Sequence, residues 1–174
     1  NDKSFRKEGG KEKSEEETVS EDMYVLNDSG DVGKNEISDE VLAYGLNEYG
    51  LDLLRSGKLN EAIVAFDKAI EKDPENINLL NNKAQVLETL GKYEEALELY
   101  NKAVKINSDD PDIWNNMAFS FSQVGKYDEA VKAYEKALKL RPDYPNAWYG
   151  KALNLSQAGN YEAAVEAYEK VLDE

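Results

Sequence analysis

The sequence predicts an all-α fold in which four helix hairpins stack on one another, preceded by an acidic, largely irregular N-terminal tail. Two observations lead to this prediction. From residue 43 onward, residues of one type recur every 34 positions, and apolar residues between them recur at helical spacing. Before that point the chain is dense in charge, since residues 1–42 hold 13 acidic and 6 basic side chains. We therefore expect a flexible tail or linker at residues 1–37 and a repeat domain at residues 38–174.

Four columns of residues define the repeat, and each column has a structural task. A glycine ends the first helix of every unit, because the left-handed backbone needed there is costly for residues with a Cβ atom. Small residues let the two helices of a hairpin approach each other, and an aromatic ring fills the space between them. The columns are Gly57, Gly91, Gly125 and Gly159; Ala62, Ala96, Ala130 and Ala164; Phe66, Tyr100, Tyr134 and Tyr168; and Ala69, Ala103, Ala137 and Val171.

The columns divide the domain into repeats at residues 43–76, 77–110, 111–144 and 145–174. The apolar spacing predicts first helices at residues 43–55, 77–90, 112–124 and 146–158. It predicts second helices at residues 60–72, 94–106, 128–140 and 162–172. We expect Pro74, Pro111 and Pro142 to end the second helices, because proline has no N–H group to donate within a helix.

The repeat resembles the tetratricopeptide repeat over about three quarters of the chain. Departures from the family's pattern are Leu46 in the tryptophan column, Ser108 in the proline column and Val171 in the last alanine column. The resemblance implies a right-handed superhelix whose first helices line a concave groove that binds segments of other proteins. The third unit carries the family's columns by identity or class in Trp114, Met117, Ala118, Phe121, Gly125, Tyr127, Ala130, Tyr134, Ala137 and Pro142.

The resemblance places three rows of residues in this groove. Amide side chains can pair with the N–H and C=O groups of an extended peptide, as in the asparagine ladders of some repeat arrays. Apolar residues at the ends of the groove would then give specificity. The alternative is that the asparagines are polar residues on a solvated face. The rows are Asn47, Asn81, Asn115 and Tyr149; Glu48, Asn82, Asn116 and Gly150; and Leu51, Gln85, Phe119 and Leu153.

A second groove site known in the family is not expected in this chain. The two-carboxylate clamp that binds chaperone C-termini requires Lys, Asn, Asn, Lys and Arg at five groove positions. These positions hold Asn47, Leu51, Asn82, Asp112 and Asn116 in this sequence, so one of the five matches. We expect no paired cation at Asp112, so a ligand carboxylate next to it would be repelled.

The tail contains one apolar run, formed by Met23, Tyr24, Val25 and Leu26. Residues 3–22 otherwise offer too little apolar surface to offset the backbone entropy lost on ordering. The run is either a chance apolar patch in a disordered leader or a docking motif for a groove of this chain or of a neighbour. Both interpretations stay open from the sequence.

The composition excludes several classes of function. The chain has no histidine and no cysteine, which removes imidazole and thiolate catalysis, disulfides and the common zinc sites, so we expect no cofactor or metal. Exposed acids such as Glu94 and Glu95 do not make an enzyme site by themselves. With 36 acidic and 21 basic residues the net charge is −15, which disfavours nucleic acid and anionic membranes as partners. We expect a non-catalytic, protein-binding chain.

The two ends of the sequence add two further expectations. The chain starts at Asn1 without an initiator methionine or an apolar leader, so we expect a processed product or an excised piece, with the cytoplasm as the default compartment. It reaches Glu174 without the extra polar helix that usually covers the last repeat. An uncovered stripe of about 300–400 Å² would forgo roughly 7–10 kcal/mol of burial as an upper estimate. Self-assembly into homo-oligomers, through this end or through the apolar run at Met23–Leu26, is therefore the alternative function.

Overall fold

The computed structural model describes residues 22–26 and 32–172, and the chain divides into two units at Ile37. In the first unit, strand β1 (Asp22–Leu26) pairs antiparallel with strand β2 (Val32–Glu36), with Met23 opposite Asn35 and Val25 opposite Gly33. The apolar run of the tail is thus part of a two-stranded sheet. Residues 1–21 and 27–31 of the predicted tail lie outside the described residues.

The second unit, residues 38–174, contains eight helices in its described part, and they form the all-α repeat superhelix that the sequence predicts. Each repeat contributes two helices joined by a short turn. The helices are α1 (Asp39–Arg55), α2 (Leu59–Lys72), α3 (Ile77–Thr89), α4 (Tyr93–Ile106), α5 (Pro111–Gln123), α6 (Tyr127–Leu140), α7 (Pro145–Gln157) and α8 (Tyr161–Leu172).

Helix packing follows the order of the chain. The two helices of each repeat pack on each other, and the second helix of a repeat also packs on the first helix of the next. The first helices α1, α3, α5 and α7 contact one another in series, whereas the described second helices make no such contacts among themselves. The first helices therefore line the inner, concave wall of the superhelix, and the second helices form its outer wall.

The glycine column has the backbone conformation that the sequence predicts. Gly57, Gly91, Gly125 and Gly159 have φ angles of 74°, 73°, 76° and 82°, and no other described residue has a positive φ. At the first turn the N–H of Gly57 donates to the carbonyl of Leu54, and the N–H of Lys58 donates to that of Leu53 at 2.9 Å. The same pair of hydrogen bonds recurs at the other three turns, so each first helix ends in the same way.

Two element boundaries differ from the prediction, and capping explains both. Helix α1 begins at Asp39 rather than near residue 43, because the Ser38 side chain accepts a hydrogen bond from the N–H of Val41 and two acids occupy the first turn. Pro111 does not end a second helix. Helix α4 already ends at Ile106, and Pro111 begins α5, where its missing N–H costs nothing.

The core runs along the seam between the two walls. The aromatic column is buried at Phe66, Tyr100 and Tyr134 but only half-buried at Tyr168, which has no following repeat in the described structure. The tryptophan column ties neighbouring repeats together, because the indole N–H of Trp114 donates to the carbonyl of Ser108 and that of Trp148 to the carbonyl of Pro142, each at 2.8 Å. Ser108 thus supplies the same carbonyl as the proline that it replaces.

Two helical glycines allow a matched test of this packing. A Cβ atom on Gly150 would overlap the ring of Tyr134, whereas a Cβ atom on Gly45 meets nothing within 4 Å. We expect Gly150→Ala to lower the free energy of unfolding by about 1–3 kcal/mol, because the aromatic ring must move. Gly45→Ala should raise it by roughly 0.5–1 kcal/mol through lower backbone entropy in the unfolded chain. Urea unfolding measures both, and equal effects of the two changes would contradict this account of the seam.

Candidate functional site

The concave wall brings the three predicted rows of residues onto neighbouring helices. Residues of the first and second rows on adjacent helices lie within hydrogen-bonding distance. The Nδ2 group of Asn82 on α3 donates to Oδ1 of Asn47 on α1 at 2.9 Å. One repeat further on, the Nδ2 group of Asn116 on α5 donates to Oδ1 of Asn81 on α3 at 3.2 Å. These four asparagines are half-buried, and each uses one polar group in a hydrogen bond to another of the four.

The third step of this ladder is interrupted. Asn115 on α5 corresponds to Asn47 and Asn81, and its expected partner on α7 is Gly150, which has no side chain. The end of the Tyr134 ring fills the space that a side chain at position 150 would need. Asn115 instead donates a long hydrogen bond of 3.5 Å to Oδ1 of the adjacent Asn116. Its own Oδ1 has no hydrogen bond from any described residue.

The same part of the groove exposes apolar side chains. Phe119 is 43% exposed, Tyr149 is 55% exposed and Leu153 is 39% exposed. Tyr93 packs edge-on against Phe119 with the ring centres 6.2 Å apart, and Tyr168 packs edge-on against Tyr149 at 5.9 Å. The two exposed rings are therefore held in place by rings of the second helices. At the other positions of the third row, Leu51 and Gln85 are half-buried.

The expectation that Asp112 has no paired cation is wrong. Its carboxylate accepts two hydrogen bonds from the Arg141 guanidinium at 2.8 and 3.0 Å, and a third from the hydroxyl of Tyr144 at 2.8 Å. The hydrogen bonds from Arg141 lower the pKa of Asp112, while burial and the hydrogen bond to Asp112 raise that of Tyr144 to about 12. Sequence reasoning missed Arg141, which lies directly after α6 and far from Asp112 along the chain. Both charges are satisfied within the chain.

A carboxylate in the seam also escaped prediction. Glu88 on α3 accepts a hydrogen bond from the hydroxyl of Ser120, a fully buried residue of α5. Burial raises the pKa of Glu88, although the Ser120 hydrogen bond opposes the shift. Burial and the nearby Glu88 charge raise the pKa of Tyr100, whose buried hydroxyl has no hydrogen-bond partner of ordinary geometry among the described residues. Tyr100 belongs to the aromatic column, but no column marks Glu88 or Ser120, because each of these two residues occurs once at its repeat position.

Two ion pairs join second helices to the first helix of the next repeat. The Lys83 ammonium group on α3 lies 2.5 Å from the Asp67 carboxylate on α2, and that of Lys151 on α7 lies 3.0 Å from Glu135 on α6. Both lysine side chains are about four fifths buried. The interval from acid to lysine is the same in the two pairs, and the pairs lie two repeats apart. The repeat register therefore contained a signal that sequence reasoning did not use.

Comparison with known proteins agrees with this architecture. Models of the tetratricopeptide repeat match residues 53–118 and residues 116–174, which together exceed half of the chain. The chain belongs to the tetratricopeptide repeat family. Its repeats and fold make it, in general terms, a protein-interaction scaffold of the kind that this family provides, and the family is generally non-catalytic.

Solved structures share the fold of this tetratricopeptide repeat chain. A crystal structure of MamA protein has 21% identity and a TM-score of 0.72, and the match covers 75% of this chain and 72% of that chain. MamA from residue 41 onward from Desulfovibrio magneticus RS-1 has 20% identity and a TM-score of 0.72, with coverage of 75% and 74%. At this identity the likeness extends to the fold alone. No curated protein matches the chain significantly.

Within residues 22–26 and 32–172, no helix combines the length and the apolar character that crossing a bilayer requires.

The Glu88 cluster predicts a pH dependence of stability. Because burial raises the pKa of Glu88 above 4.5 in the folded state, the folded chain binds this proton more tightly than the unfolded chain. The contribution of Glu88 to stability is therefore present at low pH and lost as the pH rises through the folded-state pKa. We expect Glu88→Gln to be more stable than the wild type at pH 7, with an advantage that shrinks as the pH falls toward 5.

Chemical unfolding of wild type and variant at several pH values measures this difference. Glu98→Gln, an exposed carboxylate on α4, is the control and should show no pH-dependent difference of this kind. Parallel stability profiles for wild type and Glu88→Gln would contradict the assignment, since the other acidic residues are common to both proteins.

Proposed function

We propose that the chain is a non-catalytic scaffold that binds a peptide segment of a partner protein in its concave groove. The observation that carries this proposal is the exposure of Phe119, Tyr149 and Leu153 on the inner wall, beside Asn115, whose Oδ1 accepts no hydrogen bond from the described residues. Exposed apolar groups next to polar ones that can fix orientation are typical of a recognition surface. Of the residues in the three rows, Glu48 alone carries a charge, although the chain as a whole has a net charge of −15. A neutral, partly apolar segment suits this groove.

The asparagines have two roles in this proposal. Asn47, Asn81, Asn82 and Asn116 use a donor or an acceptor on one another, so their first task is to hold α1, α3 and α5 at a fixed spacing. Their remaining groups, such as Nδ2 of Asn81, can still bind the backbone of a peptide. Within the first row, Asn115 differs from Asn47 and Asn81 because its Oδ1 accepts no hydrogen bond within the described structure. A backbone N–H of the bound segment would satisfy it at about 0.5–1.5 kcal/mol.

The apolar run Met23–Leu26 remains a predicted docking motif with one added constraint. Its backbone pairs with β2, with Leu26 opposite Val32. A strand that already has one partner can add a second along its other edge. Binding by this run would therefore extend a sheet.

The alternative function, self-assembly, has one supporting observation. Val165 and Leu172 on α8 are exposed apolar residues at the end of the repeat stack. Two copies that meet at this end would bury these side chains, and the chain would then sediment as a dimer.

A binding experiment with matched variants tests the groove. We expect peptides selected on the wild type from a displayed library of random dodecapeptides to lose about tenfold or more in affinity for Phe119→Ala or Tyr149→Ala, because truncating an aromatic anchor removes buried apolar area. Isothermal titration measures the affinities. Val64→Ala, which truncates an exposed apolar residue of the outer helix α2, should leave them unchanged. Equal losses for Val64→Ala, or none for the groove variants, would overturn the proposal.

A further inference from the structure

The concave wall carries a charge next to the three rows of the groove. The positions three places after the third row lie on the same face of each first helix, because residues three apart are neighbours on a helix surface. All four residues at these positions are half-buried, and three of them are neutral. They are Leu54, Glu88, Ser122 and Ser156, which we call the fourth row. Glu88 on α3 is the charged residue of this row.

Hydroxyl groups hold Glu88 at a fixed place in the wall. Its Oε1 accepts the hydrogen bond from the hydroxyl of Ser120 at 2.5 Å, which joins α3 to α5. Burial and the charge of Glu88 raise the pKa of Tyr100, so the buried hydroxyl of this tyrosine lies close to the carboxylate. That hydroxyl has no partner of ordinary geometry elsewhere among the described residues. Two hydroxyl groups thus face the carboxylate from the core, and neither neutralises its charge.

No cation of the described residues compensates this charge. Burial raises the pKa of Glu88 and two hydroxyl groups oppose the shift, but no basic side chain acts on it. Lys92, the next basic residue along the chain, pairs with Glu95 at 3.2 Å. Asp67 and Glu135, which also meet a neighbouring helix, each bind a lysine. A half-buried carboxylate without a cation is costly, so the fourth row has a defined place for a cation from outside the chain.

An exposed aromatic ring lies beside this place. Phe119 directly precedes Ser120 on α5, and its ring meets the edge of Tyr93. Tyr93 begins α4, five residues after Glu88. Contacts on two sides thus bring Phe119 near Glu88 on the wall, and 43% of Phe119 is exposed. A side chain with a long apolar stem and a cationic end can cover the ring and place its charge on the carboxylate.

Lysine suits this place better than arginine. A guanidinium binds a carboxylate best through both oxygens, whereas an ammonium group is a point charge that can bind a single oxygen. One oxygen of Glu88 already accepts the Ser120 hydroxyl, which leaves Oε2 for the ligand. Lys83 and Lys151 show the same type of contact within the chain, because their stems are about four fifths buried while each ammonium group binds an acid.

We propose that the groove selects peptide segments in which a lysine packs on Phe119 and binds Glu88. This inference rests on the proposed function, since it specifies one residue of the segment that the groove binds. The three rows contact the neutral part of the segment, and the lysine reaches the fourth row. The net charge of −15 favours the same choice, because it speeds the approach of a segment that carries a positive charge.

The probes are dodecapeptides that are selected on the wild type and lose affinity for Phe119→Ala. We expect a lysine to recur in them at a fixed distance from an apolar residue, and to be absent from that place in peptides selected on Glu88→Gln. In isothermal titration, replacing this lysine with norleucine, which keeps the stem, should lower the affinity for the wild type about tenfold and for Glu88→Gln less than about twofold. Replacing it with arginine should lower the affinity for the wild type about threefold.

A matched variant controls for the loss of a carboxylate from the wall. Glu48→Gln removes the same charge from an exposed residue of the second row and should leave the affinity within about twofold. No preference for lysine, equal effects of Glu48→Gln and Glu88→Gln, or tighter binding of arginine would overturn this inference. Each of these results would leave the groove in place, because the probes are chosen for their loss with Phe119→Ala. If no selected peptide shows that loss, the proposed function fails, and the lysine site fails with it.

Discussion

The superhelix depends on the contact of one aromatic ring per repeat with the first helices beside it. The ring of Phe66 lies against Gly50 of its own repeat, and the ring of Tyr134 lies against Gly150 of the next repeat. Because the ring is wedged between first helices, its size sets their spacing. That spacing in turn decides whether side chains on neighbouring helices can reach each other, as Asn47 and Asn82 do at 2.9 Å. The spacing of the groove helices is therefore a consequence of how the aromatic rings pack in the core.

The repeat period was sufficient to predict the fold. The glycine column gave the four turns, and most helix boundaries were close to those of the structure, since each column has one physical task. The start of α1 was missed because Ser38, which caps this helix, lies before the first full repeat and belongs to none of the periodic columns. The rows of the groove followed from repeat position, but the pairing of the asparagines did not. Whether an amide binds its neighbour depends on the directions of side chains on two adjacent helices. The spacing of residues along the sequence does not give these directions.

Departures from the repeat mark the places where the chain differs from a uniform array. Gly150 breaks the amide ladder at its third step, and the ring of Tyr134 takes up the space. Asn115 consequently keeps an acceptor that Asn47 and Asn81 use within the chain. The exposed rings of the groove belong to the same two helices, α5 and α7. The polar group without a partner and the exposed apolar groups therefore lie together in the C-terminal half of the groove.

The first and the last described helix of the repeat domain differ in the residues on their outer sides. On α1, Glu48 and Asp52 occupy positions that are neutral in every later repeat, and Asp52 is paired with Arg55. At the C-terminal end, α8 keeps the apolar and acidic residues that the inner repeats use to hold a following helix. The positions that carry carboxylates on α1 are those that, on later first helices, lie beside the second helix of the preceding repeat, as Val86 does beside Phe66 and Gly150 beside Tyr134.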